Sequence, residues 1–214
     1  KSYGAVTLGV DGILVDVEVD VSFGFPGFDI VGLLDTAVKE SKERVRTAIK
    51  NSGLKLKPER VTISLAPADI RKDSSGLDLP IAVGLMAAYG IVEPKRIENC
   101  LFAAELSLEG GLKGVHGILP MAVQAREQGL TEIIVAQDNV NEALLVEAAY
   151  GGGHEAVRRD GASVDSLYPA APGREVEEDG AVRRYAHEAS VHEAEEGQTG
   201  PRVKGGDDGG EIPA

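Results

Sequence analysis

Ser74 and Ser75 follow Lys72 by two and three residues in the stretch RKDSSGLDLP, residues 71–80. A serine hydroxyl becomes a nucleophile when a lysine kept neutral by burial sits within hydrogen-bond reach and takes its proton. Lys72 has Arg71 and Asp73 as neighbours. Its stretch reads as a polar loop in which nothing local would desolvate the amine. Lys113, the other candidate base, stands in a glycine-rich turn. The plainer reading of 71–80 is the polar lip of a loop before a buried helix. LPIAVGLMAAYG is apolar almost all round, as a helix enclosed on most sides must be, and Pro80 suits its first turn. A phosphate cradle is disfavoured as well. DSSGLD lacks the Gly-x-x-x-x-Gly-Lys spacing and carries an acidic residue on each side.

Metal chemistry finds few ligands. His116 stands alone between Val115 and Gly117, and His154, His187 and His192 fall at no ligand spacing. Cys100 is the single cysteine, so it reads as a small core residue. No catalytic residue and no metal site is assigned. A charged surface is more informative. On a helix over residues 35–52, Lys39, Lys42, Arg46 and Lys50 fall within about 80° of one another. They form a basic stripe beside an apolar face of Val38, Val45, Ala48 and Ile49. Arg71 and Lys72, with Lys55, Lys57 and Arg60, extend the stripe if their loops lie nearby. Such a stripe suits a phosphate backbone or an acidic partner. The plainer alternative is a solvated helix face on which Glu43 pairs with Lys39 and Arg46. No interleaved aromatics support base stacking.

The elements around these residues follow from patterning. AVTLGVDGILVDVEVDVSFG reads as a hairpin turning at Asp11-Gly12, its second strand alternating acidic residues with valines. A short strand over Asp29 to Leu33 precedes the helix, which Asp35 caps and Gly53 ends. RVTISLAP is a strand ended by Pro67. LFAAELSLEGGLKGV reads as a second hairpin across Gly110-Gly111. Then come a helix in ILPMAVQAREQG, a strand in LTEIIVAQ, and a helix starting at Asn139 or Asn141. This order describes an α+β, or mixed α/β, body over residues 1–148.

From residue 149 the pattern fails. Residues 147–214 hold one Leu, one Ile, no Phe, and 15 acidic against 7 basic side chains, so most of the net charge of −13 lies there. Such a segment cannot bury enough apolar surface to offset its ordering entropy, and 149–214 reads as a disordered Gly/acidic tail. The lone cysteine and the lack of an apolar run of membrane-spanning length point to a cytoplasmic protein with no membrane partner. The absence of an initiating Met suggests a piece of a larger one.

Three segments carry a resemblance: GFPGFDIVGLLDTAVKESKERVRTAIKNSG, VTISLAPADIRKDSSGLDLPIAVGLMAA and AAELSLEGGLKGVHGILPMAVQAREQG. In order and density they resemble the N-terminal domain of ComM/YifB-type, magnesium-chelatase-like AAA+ proteins, over residues 3 to 146. The resemblance implies a ribosomal S5 domain 2-like fold, shared with the Lon protease domain. It implies a following ATPase module with ATP and Mg2+, hexameric rings, and a place in DNA processing such as branch migration. Laid on the Lon-type motifs, Gly76 stands where the nucleophilic serine would be and Leu119 where the lysine would be, so both dyad positions are lost. The chain has no Walker A motif. The expectation is therefore a non-catalytic accessory or assembly domain, using Lys39, Lys42, Arg46, Lys50, Arg71 and Lys72 toward DNA or a neighbouring subunit, with cofactors held elsewhere. The alternatives are a Lon-like Ser-Lys peptidase with a displaced dyad, or a stand-alone protein-interaction module.

Overall fold

In the computed structural model, residues 1–150 and 157–158 are described, so the expected character of the 149–214 tail falls almost wholly outside them. Strand β1 (Ser2–Leu8) pairs antiparallel with β2 (Asp11–Ser22), from Ser2↔Val17 to Leu8↔Asp11. The reversal falls at Gly9-Val10, two residues before the Asp11-Gly12 turn expected from the sequence, and Gly12 lies inside β2. Its glycine answers a different need. A Cβ there would sit 2.6 Å from the carbonyl carbon of Pro120 and 2.9 Å from the Cα of Met121, so a helix backbone fills the space of a side chain.

Strand β3 (Gly27–Val31), helix α1 (Thr36–Asn51) and strand β4 (Arg60–Ala66) follow. β3 and β4 run parallel, and β4 pairs antiparallel with β2. α1 begins where the Asp35 carboxylate accepts the Thr36 N–H at 2.7 Å, and its spaced Val38, Val45, Ala48 and Ile49 are all buried. After a single 3-10 turn at Ser75–Leu77, helix α2 (Asp78–Ala88) is buried from Asp78 through Met86, as its uniform apolarity requires.

The expected second hairpin divides. Cys100, Leu101, Phe102 and Ala103 are buried on both faces as β5 (Cys100–Ala103), a parallel strand inside the main sheet. Only β6 (Glu105–Leu106) pairs back on β7 (Leu112–Lys113) as a separate ribbon. Helix α3 (Ile118–Glu127), strand β8 (Glu132–Val135), helix α4 (Val140–Tyr150) and strand β9 (Val157–Arg158) complete the described chain. β9 pairs with β8 in parallel, beyond the residue-148 limit at which the apolar pattern stops.

The seven-stranded sheet runs β3-β4-β2-β1-β5-β8-β9, mixed in direction and mostly parallel, so the fold is mixed α/β as expected. Helices α1 and α2 close one face over the larger core. α3 and α4 close the other over β1, β5 and β8, and no residue of β3 or β4 joins that second core. Among the described residues the sheet is therefore covered on one face only at its β3–β4 end. Among the described residues no helix is long and apolar enough to cross a membrane.

Candidate functional site

The 71–80 stretch bridges two layers. Backbone bonds from the Lys72 N–H to Leu33 O and from the Asp35 N–H to Lys72 O, both 2.9 Å, tie it to the entry of α1. The sequence placed Lys72 in a polar, hydrated loop and on the basic surface. That reading is corrected: the Lys72 side chain is fully buried and its ammonium donates to the Pro67 carbonyl. Burial lowers its pKa from the ordinary 10.5, with Asp69 opposing the shift. A desolvated lysine is what a Ser-Lys dyad needs, but the serines are not its partners. Among the described residues Lys72 makes no hydrogen bond to Ser74 or Ser75, and the Ser74 hydroxyl accepts the Gly76 N–H at 3.1 Å.

The lowered pKa of Lys72 makes stability depend on pH. The unfolded chain holds this proton more tightly than the folded one, so stability rises as pH climbs from the lowered value toward 10.5. Lys72→Met should flatten that rise and be at least as stable as the parent at pH 7, because it removes a buried charge with one carbonyl partner. Urea denaturation across the alkaline range checks both.

Of the two Lon-like positions, Gly76 is buried beside the loop that carries Val115, while Leu119 packs against the second core. A Cβ on the buried Gly76 would lie 3.3 Å from Val115 Cγ2 and 3.0 Å from the Ser74 hydroxyl oxygen. The loop carrying Val115 is held by α4's entry: the Val115 N–H donates to Asn139 Oδ1 and the Asn139 amide donates to Val115 O, each at 2.8 Å. Glu142 accepts the Leu119 N–H at 2.9 Å. Asn139, read from sequence as a helix start, thus serves mainly to pin this loop. At the meeting point stand a glycine and a valine. Lys113 is exposed, 3.9 Å from Glu105, and His116 is exposed.

Asp78 is also spoken for. It is fully buried, accepts Arg44 Nε at 2.6 Å and Arg44 Nη2 at 3.0 Å, and takes the Leu106 N–H at 3.2 Å. Arg44 donates in addition to Ala37 O and Ser41 Oγ, joining α1, α2 and β6. Its pKa is raised, first by the hydrogen bonds it donates to Asp78. No sequence pattern pairs residues 44 and 78. Asp78, the buried carboxylate of this stretch, is committed to Arg44, and among the described residues no group of three His, Cys, Asp or Glu is placed to hold a metal ion.

The basic stripe is a surface. Lys39, Arg46 and Lys50 are exposed and Lys42 half-buried, its ammonium 6.0 Å from the Phe28 ring centre. The expected Glu43 pairs with Lys39 and Arg46 do not form; among the described residues the ion pairs of α1 are those of Arg44. Arg71 lies at the start of α1, donating to Asp35 at 2.7 Å. The Asp35 carboxyl is held below its usual value, first by the Thr36 N–H and then by Arg71. Arg60 points to the opposite face of the sheet and pairs with Asp29 at 3.3 Å, so it does not extend the stripe.

Residues 17–139 match the family described as subunit ChlI of Mg-chelatase. The chain is 44% identical over 144 residues to the competence protein ComM of Haemophilus influenzae, covering 67% of this chain and 28% of that protein. It is 43% identical over 139 residues to the Escherichia coli protein YifB, covering 65% and 27%. A weaker likeness, 26% over 145 residues, joins it to a Lon protease of Salinispora arenicola, covering 64% and 18%. The chain therefore spans less than a third of the length of these relatives.

Proposed function

The chain belongs to the Mg-chelatase-like ComM/YifB-type family, in which it is the N-terminal type of domain with a Lon-like fold, and from this premise we propose that it is a non-catalytic accessory and assembly domain of a DNA-processing ATPase. The observation that carries the reading is the fate of the would-be dyad. The one buried lysine near the serines bonds Pro67, the Ser74 hydroxyl caps a turn, and Gly76 faces Val115. The protease-like loop and buried helix remain as a frame, and the frame presents α1. ATP and Mg2+ belong to a separate ATPase module, which works in a cytoplasmic ring, hexameric as the family resemblance implies.

The α1 face of Lys39, Lys42, Arg46 and Lys50 is then the contact surface for an acidic partner, either DNA or a neighbouring subunit. If DNA is that partner, Lys42→Glu with Arg46→Glu should weaken binding to duplex DNA at low salt by at least about tenfold and make the salt dependence shallower, since fewer counterions are released. Fluorescence anisotropy over a salt series checks it; binding unchanged at low salt removes DNA as the partner of this face. Peptide cleavage by the chain, lost on Ser75→Ala, would overturn the non-catalytic reading itself.

A further inference from the structure

The acidic partner that α1 requires is present on the same domain. Alternate residues of β2, β4 and β3 point away from the larger core, at the end of the sheet that α3 and α4 leave open. On this open face β2 presents Asp16, Glu18 and Asp20, and β3 presents Asp29 and Val31. Glu18 and Asp20 are exposed and have no ion-pair partner among the described residues; Asp16 and Asp29 sit in exposed pairs with Lys1 and Arg60. A parallel pair such as β3–β4 is normally covered on both faces. Here the face left uncovered among the described residues is acidic, and its rim is apolar. Phe23 and Phe25, in the link from β2 to β3, are 98% and 90% exposed.

The two charged faces lie on opposite sides of the same strands, because α1 packs on the core side of β3 and β4. Their spacings agree. Lys42, Arg46 and Lys50 recur every four residues of a helix, about 6 Å apart. Asp16, Glu18 and Asp20 recur every two residues of a strand, about 7 Å apart. With the C-terminal end of α1 laid toward the Ser22 end of β2, the apolar parts also meet. Leu108, 51% exposed and held beside α1 by the Asn51 amide donating to its carbonyl at 2.8 Å, comes against Phe23 and Phe25.

We propose that the α1 face of one copy docks on the open β2–β4–β3 face of the next, head to tail. The inference rests on the assembly reading above and names its partner. Because the faces are different and opposed, the contact is heterologous and propagates from copy to copy, closing into a ring where the rotation allows it. DNA is the less favoured occupant of α1. The body over residues 1–146 carries 20 acidic and 15 basic side chains, and its exposed phenylalanines border the acidic face.

The test uses the 214-residue chain in sedimentation velocity at low salt over a concentration series. The parent is expected to associate beyond a monomer in a concentration- and salt-dependent way. Glu18→Lys with Asp20→Lys, and separately Lys42→Glu with Arg46→Glu, are each expected to weaken association at least tenfold, and an equimolar mixture of the two variants to restore it. Restoration by mixing shows that neither loss was misfolding. A parent that stays monomeric throughout, variants that associate like the parent, or a mixture that stays monomeric would overturn the proposal. Duplex-DNA binding by the Lys42→Glu, Arg46→Glu variant, read in the same buffer, separates the two levels. If DNA binding is lost while association is unchanged, the contact role of α1 stands and the head-to-tail docking falls; if both are unchanged, both fall.

Discussion

Asp78→Ala should cost about 3–5 kcal/mol, enough to leave a domain of ordinary stability partly unfolded at 37 °C. Asp78 has no exposed surface and takes three hydrogen bonds, two from Arg44 and one from the Leu106 N–H. Removing the carboxylate leaves the guanidinium with Ala37 O, Ser41 Oγ and the exposed Glu40 carboxylate at 3.6 Å, and leaves the Leu106 amide unsatisfied. Three elements lose their common tie at once. The double change Asp78→Leu with Arg44→Met should cost less than Asp78→Ala alone, since a buried pair replaced as a whole leaves no orphan charge. Urea denaturation at pH 7 measures each. A loss under about 1 kcal/mol for Asp78→Ala would mean that water reaches the site and screens it.

Gly12→Ala should be the second large loss, about 3 kcal/mol, although it adds one methyl group to a β-strand. The methyl would collide with the Pro120 carbonyl and lie 2.9 Å from the Met121 Cα, which are backbone atoms and cannot rotate aside. α3 would have to lift from β2, opening the second core where Met121 and Ala122 are buried. A comparison strengthens the reading. At Gly27, also in a strand, a Cβ would meet nothing closer than 3.8 Å, and Gly27→Ala should change stability little. Equal thermal shifts for the two variants would contradict the close-approach account.

These two positions also show what sequence patterning conveys and what it does not. Period-two alternation in β2 and 3.6-residue spacing in α1 placed the buried valines and Ile49 correctly, because burial of one face leaves its mark along a continuous segment. The unbroken apolarity of α2 likewise announced a helix enclosed on most sides. Contacts between distant segments leave no such mark. Gly12 looked like a turn residue because Asp-Gly favours turns, and only the approach of α3, more than 100 residues on, explains it. Lys72 looked hydrated because its neighbours are charged, yet the packing of 67–72 against the α1 entry covers it. Of the six residues singled out for a partner surface, Lys39, Arg46 and Lys50 are exposed on α1, with Lys42 partly so, Arg71 is engaged with Asp35, and Lys72 is inside. The acidic open face was half legible. The alternation of β2 gave its carboxylates, while the lack of a covering helix at β3–β4 among the described residues is a property of the fold alone.

The central claim is that this domain serves an ATPase that it does not itself contain. The most direct measurement is to sequence the source gene from the codon for Asn139 to well past the codon for Ala214. The account predicts that a Walker A and Walker B pair follows, in frame or after one corrected shift. A gene that ends at Ala214 with no ATPase module would contradict it, and the domain would then act alone.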